Sequence, residues 1–177
     1  MKAADTEELL EQIKKIFEEN DVACVMRTPA EEPALHVPIL TTLHRNMGNH
    51  NDEVMGEYVF MPHVEGADEY FTISLSITEN LTEETYGLFS AASGVLNFYL
   101  PFGGFILNRD ITTFAYKYTV IIPSEYTKEQ AFELMDKAIG GALDIVDNNI
   151  AILADMERGT ATFDDFLELV PSLRAGE

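Results

Sequence analysis

Three observations predict an α+β fold, an antiparallel sheet flanked by helices, for this chain of 177 residues. Apolar and polar residues alternate from Tyr70 to Ile77 and again from Phe114 to Ile122. Between these stretches lies a helical pattern bounded by Thr82 and Pro101, and after them a single long helical pattern runs from Thr127 to Arg158. A period of two is the signature of a half-buried strand, and apolar residues three and four apart mark a helix. Their succession, with no regular βαβ alternation, argues for strands and helices in separate layers. With 46% hydrophobic residues the chain can bury a core without disulfides, and it reads as one domain, residues 1–177. The core spans about 5–158, and a short amphipathic tail covers 160–177.

The first helix is predicted from Asp5, paired with Glu8 as a capping box, and carries Leu9, Leu10, Ile13, Ile16 and Phe17 along one face before ending near Asn20. Short apolar runs at Val22–Met26, Leu35–Leu40 and Tyr58–Met61 read as strands with long connections. Arg45 to Asp52 lacks apolar periodicity and is rich in turn formers, so it reads as a loop longer than a hairpin turn. The strand at Tyr70–Ile77 places Phe71, Ile73, Leu75 and Ile77 on one side. Thr82 then caps a helix, with Leu81 and Tyr86 in the positions of a hydrophobic staple, and Pro101 stops it.

A hairpin follows, from Phe102 to Leu107, through a turn at Asn108, Arg109 and Asp110, into a strand bearing Phe114, Tyr116, Tyr118, Val120 and Ile122. Gly103 and Gly104 mark a bulge or a close approach of another backbone, the bulge being the preferred reading. Thr127 and Gln130 form a capping box for the last long helix, which stops at Gly159. Its apolar residues, from Phe132 to Leu153, cover an arc of roughly 180°. That is wider than one sheet face requires and predicts a surface left over for a partner. Gly140 and Gly141 in its interior predict close approach of a neighbouring element. The tail carries Phe163, Phe166, Leu167 and Val170 and ends at Pro171.

Charge narrows the classes of function. Acidic residues number 31 against 11 basic ones, a formal charge of -20. Such a field repels a phosphate backbone and anionic lipid, so neither nucleic acid nor membrane is an expected partner, whereas a basic client is favoured. No basic and apolar leader precedes the first helix and no apolar run is long enough to span a bilayer, so a cytoplasmic location is expected. Cys24, the single cysteine, sits between Ala23 and Val25 and reads as a small buried hydrophobe.

Catalytic and metal chemistry find little support. The four histidines, His36, His44, His50 and His63, match no helical ligand pair or close-set motif, although His44 and His50 share the polar segment with Asp52 and Glu53. The adjacent acids Glu31/Glu32, Glu83/Glu84 and Asp164/Asp165 diverge by about 100° on a helix and cannot share a proton. No nucleophile elbow, phosphate loop or dinucleotide fingerprint is present. No metal or cofactor is therefore expected, and the chain is expected not to be an enzyme. At least half of the aromatic cluster Phe98, Tyr99, Phe102 and Phe105, with Tyr116 and Tyr118, is expected to fill the core, yet it exceeds what a small core demands and reads as an oligomer or peptide interface.

The element order of helix, three strands, helix, hairpin and helix is joined by the stretch Leu96-Asn97-Phe98-Tyr99-Leu100-Pro101-Phe102-Gly103-Gly104-Phe105 and by Phe114-Ala115-Tyr116-Lys117-Tyr118. Together they resemble the YbjN-like family of bacterial sensory-transduction regulators, whose fold is similar to that of type III secretion chaperones. Asn97, Pro101 and Gly103 look like that family's asparagine, proline and glycine at the entry to the hairpin. The resemblance covers Tyr70 to Gly159 well. It implies the fold and a small, acidic homodimer that holds an extended client segment against apolar grooves. The segment Asn46–Glu53 and the tail after Gly159 depart from a minimal chaperone. The expected function is thus a non-enzymatic interaction module, chaperone-like or regulatory, that captures a peptide or protein. The alternative is a regulator sensing a small ligand in a pocket between the sheet and the last helix.

Overall fold

A computed structural model describes residues 3–62, 66–78 and 81–175. The order is α1 (Ala3–Glu19), β1 (Ala23–Arg27), β2 (Ile39–Met47), β3 (Asp52–Phe60), β4 (Glu69–Thr78), α2 (Glu83–Tyr99), β5 (Gly104–Asn108), β6 (Thr113–Ile122), α3 (Lys128–Arg158) and α4 (Phe163–Ala175). The strands form one six-stranded antiparallel sheet in the order β1-β2-β3-β4-β6-β5, so β1 and β5 are its outer strands. The predicted α+β class is the observed one. The chain's internal contacts divide into two compact units, residues 1–44, 55–74 and 118–142 in the first and residues 45–54, 75–117 and 143–177 in the second. Each unit is assembled from three separate stretches of chain, which is why no linker marks a boundary in the sequence.

In the first unit, one sheet face is built from Leu40, Thr42 and His44 of β2, Tyr58 and Phe60 of β3, Phe71 and Ile73 of β4 and Val120 and Ile122 of β6, all buried. Helix α1 packs on it: Phe17 meets the His44 and Tyr58 rings, each at 5.3 Å. Asp5 does not cap α1. The helix starts two residues earlier, so Asp5 lies in its first turn, where its carboxylate meets Lys128 of α3 at 2.9 Å. In the second unit, Phe89 of α2 meets Phe114 of β6 at 4.8 Å, and Phe105 of β5 stacks on the same ring at 5.5 Å.

Several boundaries differ from those predicted: besides the start of α1, the run Leu35–Leu40 is strand only at Ile39 and Leu40, which open β2, and β3 begins at Asp52, well before Tyr58. Half of the polar segment Arg45–Asp52 is strand: β2 runs to Met47, β3 starts at Asp52, and residues 48–51 turn, with Gly48 and Asn51 at positive φ. Polar strand ends have no hydrophobic alternation to announce them, yet sheet hydrogen bonding carries through them. Helix α4 likewise continues past Pro171 to Ala175. The local signals at α2 and α3 hold. Thr82 and Thr85 cap α2 reciprocally, Thr127 and Gln130 exchange hydrogen bonds of 3.0 and 3.3 Å at the start of α3, and Gly159 adopts φ +70 beyond its end.

The apolar arc of α3 is not a free face. Met135, Ile139, Val146, Ile150 and Leu153 are buried, and Phe132, Leu134, Leu143, Ile145 and Ile152 are half-buried. Part of this cover is the β2–β3 turn. Its Gly48 lies so near α3 that a Cβ there would stand 2.6 Å from Ile150, and its N–H donates to Asp147 at 2.7 Å. Gly140 has no close neighbour, since a Cβ there would meet nothing within 4 Å. The expected approach of another element is absent at that residue.

Candidate interaction surface

From Thr85 to Asn108 the sequence holds no charged residue, in a chain whose formal charge is -20. This run forms most of α2, the following turn and β5. The inward side of α2 (Phe89, Ala92, Ser93 and Leu96) is buried. Its outward side is Gly87, Ala91, Gly94 and Phe98, all exposed, and a Cβ at either glycine would meet nothing within 4 Å. Phe98 is 79% exposed and Tyr99 43%, their rings edge-on at 4.8 Å. Helix α4 packs against α2 within the same unit, with Phe166 buried and Leu167 and Leu169 exposed.

The six residues read as an interface separate into three kinds. Phe98 and Tyr99 are on the surface as expected. Phe102 and, in the first unit, Tyr118 are half-buried. Phe105 and Tyr116 belong to the core, 2% and 0% exposed, packed edge to face at 5.4 Å. This corrects the prediction for those two: they sit on the face of the hairpin that α2 covers and cannot touch a partner. The Tyr116 hydroxyl donates to the Phe102 carbonyl at 2.8 Å.

Gly103, just before β5, is required by close approach, and neither it nor Gly104, the first residue of β5, marks a bulge. The β5–β6 register is regular from Gly104↔Lys117 to Asn108↔Thr113. Gly103 lies at φ +65, and a Cβ there would stand 2.1 Å from the Tyr116 hydroxyl. Asn97 explains itself in the same place. Its Oδ1 accepts the Phe105 N–H at 2.7 Å and its Nδ2 donates to the Phe105 carbonyl at 2.9 Å. The side chain thus imitates a neighbouring strand and closes β5 at Phe105 against pairing with another chain. In the sequence Asn97 stood out only as the asparagine of the family-like stretch at the entry to the hairpin. At the hairpin tip, Arg109 meets both Glu83 oxygens at 3.2 Å and lies 5.4 Å over the Tyr86 ring.

His44, His50, Asp52 and Glu53, considered for metal binding, are engaged otherwise. His44 is buried in the first unit, 2.8 Å from both the Thr42 and Tyr58 hydroxyls, and desolvation lowers its pKa to about 4. Burial raises that of Tyr58. In the second unit His50 faces Asp155 at 3.6 Å, Asp52 pairs with Arg158, and Glu53 pairs with Arg45 at 3.2 Å. His36 is exposed, and His63 lies outside the described residues. Among the described residues no group of three or more histidine, cysteine or acidic side chains is placed to hold a metal ion. The Cys24 thiol is half-buried, donates to the Lys14 carbonyl at 3.7 Å and has its pKa raised, first by burial.

A cleft of about 670 Å³ opens in the first unit. Its walls include Thr6, Leu10, Pro29, His36, Phe60 and Met61, from α1, the β1–β2 connection and the end of β3. Compared with known proteins, the chain matches no family profile and no curated sequence. Among the described residues no helix is long and apolar enough to cross a membrane.

Proposed function

We propose that this chain is a non-enzymatic interaction module, YbjN-like in kind and cytoplasmic, that captures a peptide or protein partner on the outward face of α2. One observation carries this reading: Phe98, 79% exposed, stands at the end of a helix face that carries no charge from Thr85 onward in a protein of formal charge -20. An exposed aromatic residue beside small ones offers a large apolar contact at little entropic cost, the composition favoured at the centre of interfaces. The surrounding negative field selects for a basic client and speeds its approach. Strand addition at Phe105 of β5 is closed by Asn97, so the contact is made through side chains.

A photo-crosslinking phenylalanine analogue placed at position 98 tests this in cells. A discrete adduct is expected there and none with the same analogue at Glu129, and Phe98→Glu should abolish co-purification of the adduct's partner. Absence of any adduct at position 98 counts against the reading. The cleft against α1 supports a second reading, a sensor of a small apolar ligand, because its volume falls in the range of ligand sites. It lies at the β1–β2 connection and not between the sheet and α3.

A further inference from the structure

The sheet of the first unit has a second face, and it is not the polar face that an open antiparallel sheet usually shows to water. Where Leu40, Thr42 and His44 of β2 are buried, the residues between and beside them, Ile39, Thr41 and Leu43, are half-buried; Met55, Glu57 and Val59 of β3 behave in the same way. On β1, β4 and β6 the corresponding positions include Val25, Tyr70 and Ile121, which are 53%, 45% and 53% exposed. Large apolar side chains thus run across five strands on the side away from α1. Thr72 and Thr119 lie among them, their hydroxyls 3.0 Å apart and satisfied by each other. The one acid on these positions, Glu57, is paired with Arg27 at 3.2 Å.

We infer that this face is the contact between two copies of the chain, packed sheet to sheet about a two-fold axis. The occupant follows from charge. Two molecules of -20 repel at nearly every mutual approach, and they can meet closely only where both lack net charge. This face meets that condition, and a two-fold axis makes it its own complement, apolar against apolar. Its size also suits a modest dimer. Strands about 4.8 Å apart, each contributing about five residues of about 3.3 Å, outline roughly 400 Å² for five strands. Two corrugated faces of that outline bury on the order of 1,000 Å², the lower bound of a specific interface. The expected association is therefore weak, on the order of micromolar, and strengthened by salt, which screens the repulsion but leaves apolar contact intact. This inference stands on the sheet face and is independent of the reading of α2.

Sedimentation of the full chain over a wide concentration range, at low and at high sodium chloride, tests it. The wild type should pass from monomer to dimer, with the midpoint moving to lower concentration in high salt. Ile121→Glu and Val25→Glu should raise that midpoint at least tenfold while the circular dichroism and unfolding midpoint stay those of the wild type, and Ile121→Val should dimerise normally. Phe98→Glu should dimerise as the wild type does. A wild type that is monomeric throughout overturns the inference, as does a dimer weakened by salt, one indifferent to both glutamate substitutions, or one lost with Phe98→Glu.

Discussion

His44 shows how a single buried side chain ties this protein's stability to pH. The ring is 5% exposed, enclosed by Phe17 and Tyr58 and bonded through one nitrogen to two hydroxyls, an environment that disfavours its charged form. Its pKa falls from the ordinary 6.5 to about 4. In the window between those values the unfolded chain binds the proton and the folded one does not, so stability present above pH 6.5 is lost as pH falls toward 4. The loss amounts to about 3 kcal/mol over the window at 1.36 kcal/mol per unit. Urea unfolding at neutral pH and at pH about 5 should show the midpoint falling with acidification, and His44→Gln should flatten that slope while lowering the neutral-pH midpoint. Equal slopes in the two proteins would assign the acid sensitivity elsewhere. At the same scale, Phe98 and Phe105 are indistinguishable by residue type and by neighbourhood in an aromatic run, yet one is 79% and the other 2% exposed.

Among the elements, α3 is the one whose ends could be located in advance and whose surroundings could not. Its capping pair, Thr127 and Gln130, and its terminating Gly159 are local devices that work within three or four residues, so sequence alone exposes them. Its wide apolar arc is covered in part within the chain itself, where the turn at residues 48–51 meets it through Gly48, beside Ile150 and bonded to Asp147. That turn was hidden within a polar stretch that hydrophobic periodicity cannot resolve into strands. Gly140 illustrates the converse. It is exposed, with open space where a Cβ would stand, so its cost to the helix is uncompensated by packing. Gly140→Ala should stabilise the protein by about 1 kcal/mol, read as a rise of about 2–4 °C in Tm. A fall in Tm would show a neighbour at this position. For β5, Asn97 performs by one side chain what a covering strand would otherwise do, and its partner Phe105 is eight residues away across a turn.

For the molecule as a whole, charge is the dominant long-range quantity. With 31 acids against 11 bases, the compact state confines repulsion that the unfolded chain relieves by expanding. Ion pairs such as Lys14–Glu18 and Lys137–Glu133 are exposed and contribute little each. Raising sodium chloride from near zero to about 0.15 M, where the screening length falls to about 8 Å, should therefore raise the urea midpoint. The same titration should weaken capture of a basic client, and a midpoint that falls with salt would show attractive pairs outweighing repulsion. Composition, the alternating strands and the capping signals determined the α+β class, the charge and the succession from β4 to α3, because each is written in residues a few positions apart. The tertiary structure alone decided that Tyr116 is core while Phe98 is surface, that Asn97 closes the sheet at Phe105, and that Val25, Tyr70 and Ile121 belong to one apolar face. Exposure and edge closure depend on what packs across from a residue, and those neighbours come from distant parts of the chain.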